Sequence, residues 1–481
     1  MKKRILSALL VIAMILSMGM LAGCGSSGTS SGTGNVNFTV PEAGFDMNTE
    51  VTITFEHTMG QKLQGVLDYY IEEFEKLYPN IHVEHSNVGG WSDISGTIST
   101  EIFGGTQPNI AYCYPDHVAL YNLSKSVVTL DSLIDSTSAI TLGDGTSSVL
   151  GLTAEQKADF IEGYYNEGKV YGDGLMYTMP LNKSTEVLYY NKTFFQEHKL
   201  KVPTTWDELW DVCDKILAID PTCYPLGYDA EDNWFITLCE QMGSGYTSAT
   251  GDHYLFDNET NRAFVKKLRE CYQKGYFTTQ ELYGGYTSGL FVEQTDTRSY
   301  MCIGSSGGAS YQMSNQDTED GSFAFEVGVA PIPQYNSANQ KTISQGPSLC
   351  ILKGADTTDQ EIMASWLFVK FLCTNIDFQA SFSMTSGYMP VLKSVTKNET
   401  YAAWLAKANG YENLVATCVQ IGIDGRDNYF VSPAFNGSTT ARTQVGSLLV
   451  KCLSSEITGD VDTFIKNAFS DAIEECEFQT G

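Results

Sequence analysis

Basic residues are scarce in this chain: 29 Lys and Arg stand against 57 Asp and Glu over 481 residues, a formal net charge of −28. That balance leaves no room for a basic stripe able to neutralise a phosphate backbone, which excludes sequence-independent nucleic-acid binding. Histidine is also sparse, with six residues. His82 and His85, in Ile81-His-Val-Glu-His85, fall on opposite faces of a strand, and this argues against a shared metal. Neither G-x-x-x-x-G-K-[ST] nor H-E-x-x-H occurs, so P-loop and zincin chemistry have no carrier. Asp317, Glu319 and Asp320 share a polar loop without EF-hand spacing. Acidic pairs are too common to single out a glycosidase dyad. The sequence therefore predicts no catalytic residue, no metal and no cofactor.

Beyond residue 20 there is no apolar run of membrane-spanning length. The first 23 residues read as an export signal: Lys2, Lys3 and Arg4, then the apolar stretch Ile5 to Met20. Leu21-Ala-Gly-Cys24 follows with the pattern of a bacterial lipobox, which predicts cleavage before Cys24 and a lipid on its thiol. Gly25 to Gly34 contains only Gly, Ser and Thr, the composition of a flexible coil with a reach of about 5–6 Å × √n. Residues 24–49 are expected to form a tether, holding a soluble body on the outer face of the cell membrane.

A disulfide framework is not expected. With Cys24 set aside, eleven cysteines remain, an odd number without a C-x-x-C. Most have apolar neighbours, as in Phe371-Leu-Cys373, and read as small buried hydrophobes. Cys213 and Cys223 are the pair to test first.

The body opens β–α–β, the unit of a parallel sheet. Val51 to Phe55 alternates; Leu63, Val66, Leu67, Tyr70, Ile71, Phe74 and Leu77 have helical spacing; Pro79 ends the helix, and Ile81 to Val83 is extended. Helices are predicted at 94–103, 259–275, 359–374, 443–457 and 461–476, and another opens at Thr205, with Glu208 completing a capping box. Strands are predicted at 108–114, 188–190, 300–304, 325–330 and 348–353, with a strand pair over 170–180 and a loop over 139–154. No fixed-period repeat is present. The pattern is α/β over two lobes.

The candidate chemistry is binding. Ile303-Gly-Ser-Ser-Gly-Gly308 offers small residues that let a ligand approach the backbone, or a plain turn. Trp91 after Gly89-Gly90, and Tyr388 in Ser386-Gly-Tyr-Met-Pro390, are aromatics beside turn residues, suited to stacking on a sugar or to covering a core edge.

Met179-Pro-Leu-Asn-Lys-Ser-Thr185, Leu188-Tyr-Tyr-Asn-Lys192 and Pro203-Thr-Thr-Trp-Asp-Glu-Leu209 together resemble the hallmark segment of the solute-binding proteins of bacterial ABC importers, in their carbohydrate-binding group. Phe55-Glu-His-Thr-Met59, Ser305-Ser-Gly307, Gln345-Gly-Pro-Ser-Leu349 and the Tyr388 segment are most similar to the sn-glycerol-3-phosphate binders of that group. The resemblance implies a two-lobed periplasmic-binding-protein-like fold of class II type. Each lobe would be a mixed, mostly parallel sheet flanked by helices: residues 50–165 with about 300–355 form the first lobe, about 166–299 with 356–481 the second. It implies ligand contacts from Trp91, Ser184, Ser305, Gly346, Tyr388 and Trp234. The family's first-lobe glutamate falls on Pro115, so Asp116 is its nearest substitute. The phosphate-binding arginine belongs near Arg442, with Gly446 in the aligned place, and one family tryptophan is replaced in the Glu231-Asp232 region. Two ligand classes stay open, a neutral sugar or polyol and sn-glycerol 3-phosphate or a glycerophosphodiester; a secreted carbohydrate-active enzyme is the alternative of another kind. The implied partners are the ligand, the permease subunits and, through Cys24, the membrane, with the protein a monomer.

Overall fold

The computed structural model describes residues 37–314, 324–408 and 413–480. The export signal, Cys24, the Gly/Ser/Thr run and the Asp317–Asp320 loop lie outside the described residues. The tether reading stops earlier than residue 49: Phe38 and Phe45 are buried in the first core, and the Ser132 hydroxyl donates to the Phe38 carbonyl at 2.6 Å.

The first sheet grows from the β–α–β start. Strand β1 (Val51–His57) buries every second side chain, as a strand with one face on a core must. Helix α1 (Gln61–Leu77) lays Leu67, Tyr70, Ile71 and Phe74 against it. Strand β2 (Ile81–Asn87) runs parallel to β1, Val51 opposite Ile81. Helix α2 (Trp91–Gly104) leads to β3 (Ile110–Cys113), buried throughout, and the short α3 (Pro115–Tyr121) follows. Two later pieces complete the sheet: β4 (Met179–Pro180) and β10 (Ser348–Ile351), the latter antiparallel to β3, in the order β2-β1-β3-β10-β4.

The second sheet has the order β7-β6-β8-β5-β9, with β5 (Glu186–Asn191), β6 (Tyr224–Tyr228), β7 (Phe277–Thr279), β8 (Ser299–Ser305) and β9 (Val327–Pro331). Helix α4 (Trp206–Ile219) begins at the expected capping box: Thr205 Oγ1 accepts from the Glu208 N–H at 3.2 Å, and Glu208 Oε2 accepts from the Thr205 N–H at 3.3 Å. Helices α5 (Glu231–Met242) and α7 (Ser438–Ser454) pack together in this lobe, while α6 (Asp359–Thr374) belongs to the first.

The expected division of the lobes needs correction at both ends. Strands β8 and β9 pair with β5 in the second sheet, so within the 300–355 segment only the part from about 346 returns to the first lobe. In the other direction, α6 and the helix Ile376–Ser386 bury Trp366, Phe368 and Phe378 in the first core. Strand pairing decides membership here, and it is non-local. The predicted strand pair over 170–180 reduces to β4, and the expected 139–154 loop contains a small hairpin, Ala139–Thr141 with Ser147–Val149.

Between the sheets the chain crosses at 181–185 and returns at 344–347. These two segments bond to each other: the Ser184 N–H donates to the Gln345 carbonyl at 2.8 Å, and the Gln345 N–H donates to the Ser184 carbonyl at 2.9 Å. Beside them lies a buried ion pair, Lys183 with Glu167, 1% and 5% exposed. Lys183 also donates to Ser348 Oγ at 3.2 Å, and Ser344 Oγ donates to the second Glu167 oxygen at 2.6 Å. Replacing Lys183 with Met would strand the Glu167 charge away from water. Losing one partner of a buried pair costs about 3–5 kcal/mol, and a fall in unfolding free energy of that size, read from a lower urea midpoint, is expected for Lys183→Met. Glu167→Gln should be milder, because the amide oxygen still accepts from the lysine.

All eleven described cysteines, Cys213 and Cys223 included, are free and buried. A thiol reagent should therefore titrate almost none of them in the native protein, and all eleven once denaturant is added; a native count above two or three would contradict the packing.

A candidate ligand-binding cleft between the lobes

A cleft of about 540 Å³ separates the lobes. It sits where open α/β sheets place their ligands, beyond the carboxyl ends of strands: β3 ends at Cys113 and delivers Tyr114 and α3, and β6 ends at Tyr228 and delivers Asp229 and α5. Helices α2, α3, α5 and α7 all begin at the cleft, at Trp91, Pro115, Glu231 and Ser438. Their first turns carry Asp116, Glu231 and Asp232, and carboxylates there are favoured by the helix dipole.

The first-lobe wall is aromatic. Trp91 stacks on Tyr114 with centroids 4.1 Å apart and planes 15° apart, and on Tyr112 at 5.1 Å. The second-lobe wall is polar, and Arg442 of α7 is its centre. Its Nη1 donates to Asp232 Oδ2 at 3.0 Å and to Asn233 Oδ1 at 2.6 Å, and its Nε donates to Asp116 Oδ2 at 3.1 Å. Burial alone would raise the Asp116 carboxyl, but Arg442 and His117 outweigh it, and the group titrates below the ordinary carboxylate range. Burial lowers His117, and Arg442 adds to the effect although Asp116 opposes it, so the ring is neutral at pH 7. Asp229 is raised by burial, against hydrogen bonds from the Thr287 hydroxyl and N–H. Glu231 accepts from the Glu281 N–H at 2.7 Å. Among the described lining residues, five carboxylates face one guanidinium.

Of the residues singled out in the sequence, Trp91, Asp116 and Arg442 line the cleft, and Gly446 lines it beside Asp232. Tyr388 is half-buried behind Trp91, whose indole sits beside its hydroxyl; burial pushes that hydroxyl up to about 12. The other four are engaged elsewhere. Gly346 has φ +98°, and a Cβ there would lie 2.8 Å from the Asn182 carbonyl, so the glycine serves the contact between crossing segments, next to the lining residue Gln345. Ser184 is buried in that same contact. Ser305 Oγ accepts from the Gly307 N–H at 3.2 Å, and a Cβ on Gly307 would strike the Tyr388 ring at 2.7 Å. The small-residue loop thus receives Tyr388. This run also has G-x-S-x-G spacing, but Ser306 is wholly buried and its Oγ accepts from the Thr185 N–H at 3.2 Å, with no histidine beside it to activate a nucleophile. Trp234 is fully buried in the second core, stacked on Tyr228 at 4.4 Å beside Trp206 and Trp210. It belongs to the interior and not to the cleft wall.

Sequence reasoning missed Tyr114, His117, Tyr246 and Tyr286 as lining residues. Tyr114 had an available signal, since it ends a wholly apolar strand and precedes a proline that opens a helix. Beneath the cleft, Glu186 is buried; it accepts from the Tyr228 hydroxyl at 2.6 Å, and burial raises its carboxyl to about 8, with the Asp232 and Asp229 charges adding to the rise.

A two-lobed α/β body with a polar and aromatic cleft at its strand ends is the architecture of periplasmic-binding proteins. The chain belongs to the family of bacterial extracellular solute-binding proteins, whose model it matches over residues 69–409. It is 23% identical over 362 residues to the sn-glycerol-3-phosphate-binding periplasmic protein UgpB of Shigella dysenteriae, covering 71% of this chain and 75% of that protein. It is 26% identical to the multiple sugar-binding protein of Streptococcus mutans over 195 residues, so the match spans about 40% of either chain. Among solved structures, it shares its fold with UgpB from Mycobacterium tuberculosis in complex with glycerophosphocholine: TM-score 0.68 at 17% identity, covering 89% of this chain and 99% of that one. These relatives are solute-binding proteins and not enzymes, and the family's place is extracytoplasmic.

The raised Glu186 carboxyl gives a pH signature. The folded state keeps a proton that the unfolded state releases near 4.5, so this group's contribution is fully present below about pH 4.5 and is lost as pH rises towards 8. Glu186→Gln keeps an acceptor for Tyr228 without the titration. The melting temperature of the variant relative to wild type should rise steadily between pH 5 and pH 8, and a constant difference across that range would refute the assignment.

Proposed function

We propose that this protein is the receptor of an ABC importer, capturing a neutral sugar or polyol in the cleft and presenting the closed complex to permease subunits. The observation that carries the ligand class is the charge of the cleft. Its one guanidinium already holds two carboxylates, and Glu231, Asp229 and Glu281 add further negative charge. A phosphate would enter against that field, whereas sugar hydroxyls can donate to carboxylates and a sugar's C–H face can lie on Trp91. Sugar binding by the Streptococcus relative is in keeping with this reading. A phosphate ester is the second ligand reading, favoured by the names of the UgpB relatives and opposed by the same charges.

Capture follows from hinge bending about the crossing segments, and a ligand shifts the open–closed balance by its differential affinity for the closed form. In this reading Cys24 carries the lipid that keeps the monomeric body near the membrane.

A thermal-shift screen with mono- and oligosaccharides, polyols, sn-glycerol 3-phosphate and glycerophosphocholine tests the ligand class. A ligand at 100 times its Kd adds about 2.7 kcal/mol of stability, so a shift is expected with a neutral compound and none with the phosphate esters. Trp91→Ala should weaken the neutral ligand about tenfold. Hydrolysis of an oligosaccharide by the protein would overturn the receptor reading.

A further inference from the structure

Arg442 joins two lobes, and its contacts divide accordingly. Asp232 and Asn233 stand on α5, which packs beside α7 in the second lobe, so those two bonds are internal to one lobe. Asp116 stands on α3 in the first lobe, where Val118 and Tyr121 anchor the helix in the core. The 3.1 Å bond from Arg442 Nε to Asp116 exists only while the lobes meet. A second bond makes the same crossing: Thr439 Oγ1, one helical turn before Arg442, donates to the Asp116 carbonyl at 3.0 Å. The Asp116 side chain is 9% exposed and that of Arg442 26%, so the pair is shielded from water, where an ion pair has more strength than on an open surface.

We propose that Arg442 is a closing and specificity-determining residue: it fastens α7 to α3 through Asp116, and this use of the guanidinium selects against anionic ligands. The proposal rests on the solute-binding reading above and assigns the residue's role within it. An anion reaching Arg442 must displace a carboxylate. Asp232 is held in the same lobe, where even a Cβ on Gly446 would come within 3.4 Å of it, and Asn233 accepts from the same Arg442 Nη1. Asp116 is the partner that leaves most readily, because opening the lobes already removes it. An anionic ligand therefore undoes the contact that closure makes, whereas a neutral ligand leaves it in place. Charge acts in the same direction, since an added anion faces Glu231 and Asp229 as well.

The test uses the full chain in detergent. Hydrogen–deuterium exchange of the ligand-free protein reads the closing contact. Asp116→Asn should speed exchange about tenfold in the peptides covering 115–121 and 438–447 and leave β1 and β8 unchanged; Arg442→Lys, which keeps the charge but loses the fork, should fall between. Unchanged exchange in both variants overturns the closing role. Titration calorimetry with sn-glycerol 3-phosphate reads the selection. Wild type should bind it at least tenfold more weakly than Asp116→Asn/Asp232→Asn, and adding Arg442→Ala to the double variant should abolish the gain. Wild-type binding of this probe that is lost in Arg442→Ala, or no gain in the double variant, overturns the selective role. If no solute of any class binds wild type, the receptor reading fails while the exchange result still decides the closing contact.

Discussion

The structure depends on keeping one lysine charge dry. Lys183 lies on the segment that leaves the first sheet for the second; Glu167 and Ser348 meet it from two other parts of the chain, and Ser344 bonds the second oxygen of Glu167. A buried charge is tolerated only when it is paired and its remaining protons are bonded. That requirement fixes the 167–169 turn and both crossing segments in one arrangement. The bridge between Ser184 and Gln345 and the close approach at Gly346 follow from the same register. The two segments that join the lobes are therefore paired to each other where they cross.

The cleft inherits its polarity from the helices. Four helix starts converge on it, and the acidic residues of two first turns answer their dipoles. Those same acids surround Arg442 and use up its positive charge. Local helix chemistry and ligand preference are thus coupled: residues that stabilise helix ends also decide the sign of the field a ligand meets. Glu186, under the second-lobe wall, adds no charge at neutral pH because burial beside Asp232 and Asp229 keeps it protonated.

Elements that depend on neighbours in sequence were legible beforehand. Thr205 with Glu208, and the helix at 359–374, are local patterns of capping and periodicity, and they appear where those patterns put them. Lobe membership was not legible for 300–343, since nothing in Ser299–Ser305 says that its partner is Glu186–Asn191, more than a hundred residues away. The site was half legible. Trp91, Asp116 and Arg442 came from resemblance to a family, and they line the cleft. Ser184, Ser305, Gly346 and Tyr388 came from the same resemblance, yet their contacts hold the crossing and its adjoining loop. A recurrent small residue beside a cleft marks a tight backbone, and sequence alone does not say whether the tightness admits a ligand or another strand. Trp234 misled for a related reason: an indole at the start of a helix suits a wall or a core, and four aromatic neighbours, Trp206, Trp210, Tyr228 and Phe277, drew it inward.

The distribution of tryptophans has an optical consequence. Trp206, Trp210 and Trp234 form one buried group in the second lobe, and Trp366 is sealed in the first. None of these lines the cleft, and neither does the half-buried Trp404 on the first core. Trp91 alone stands in the cleft, against Tyr114 and near Tyr388. Occupancy is therefore written into the emission of a single indole over a steady background, and the protein carries its own reporter without any added dye.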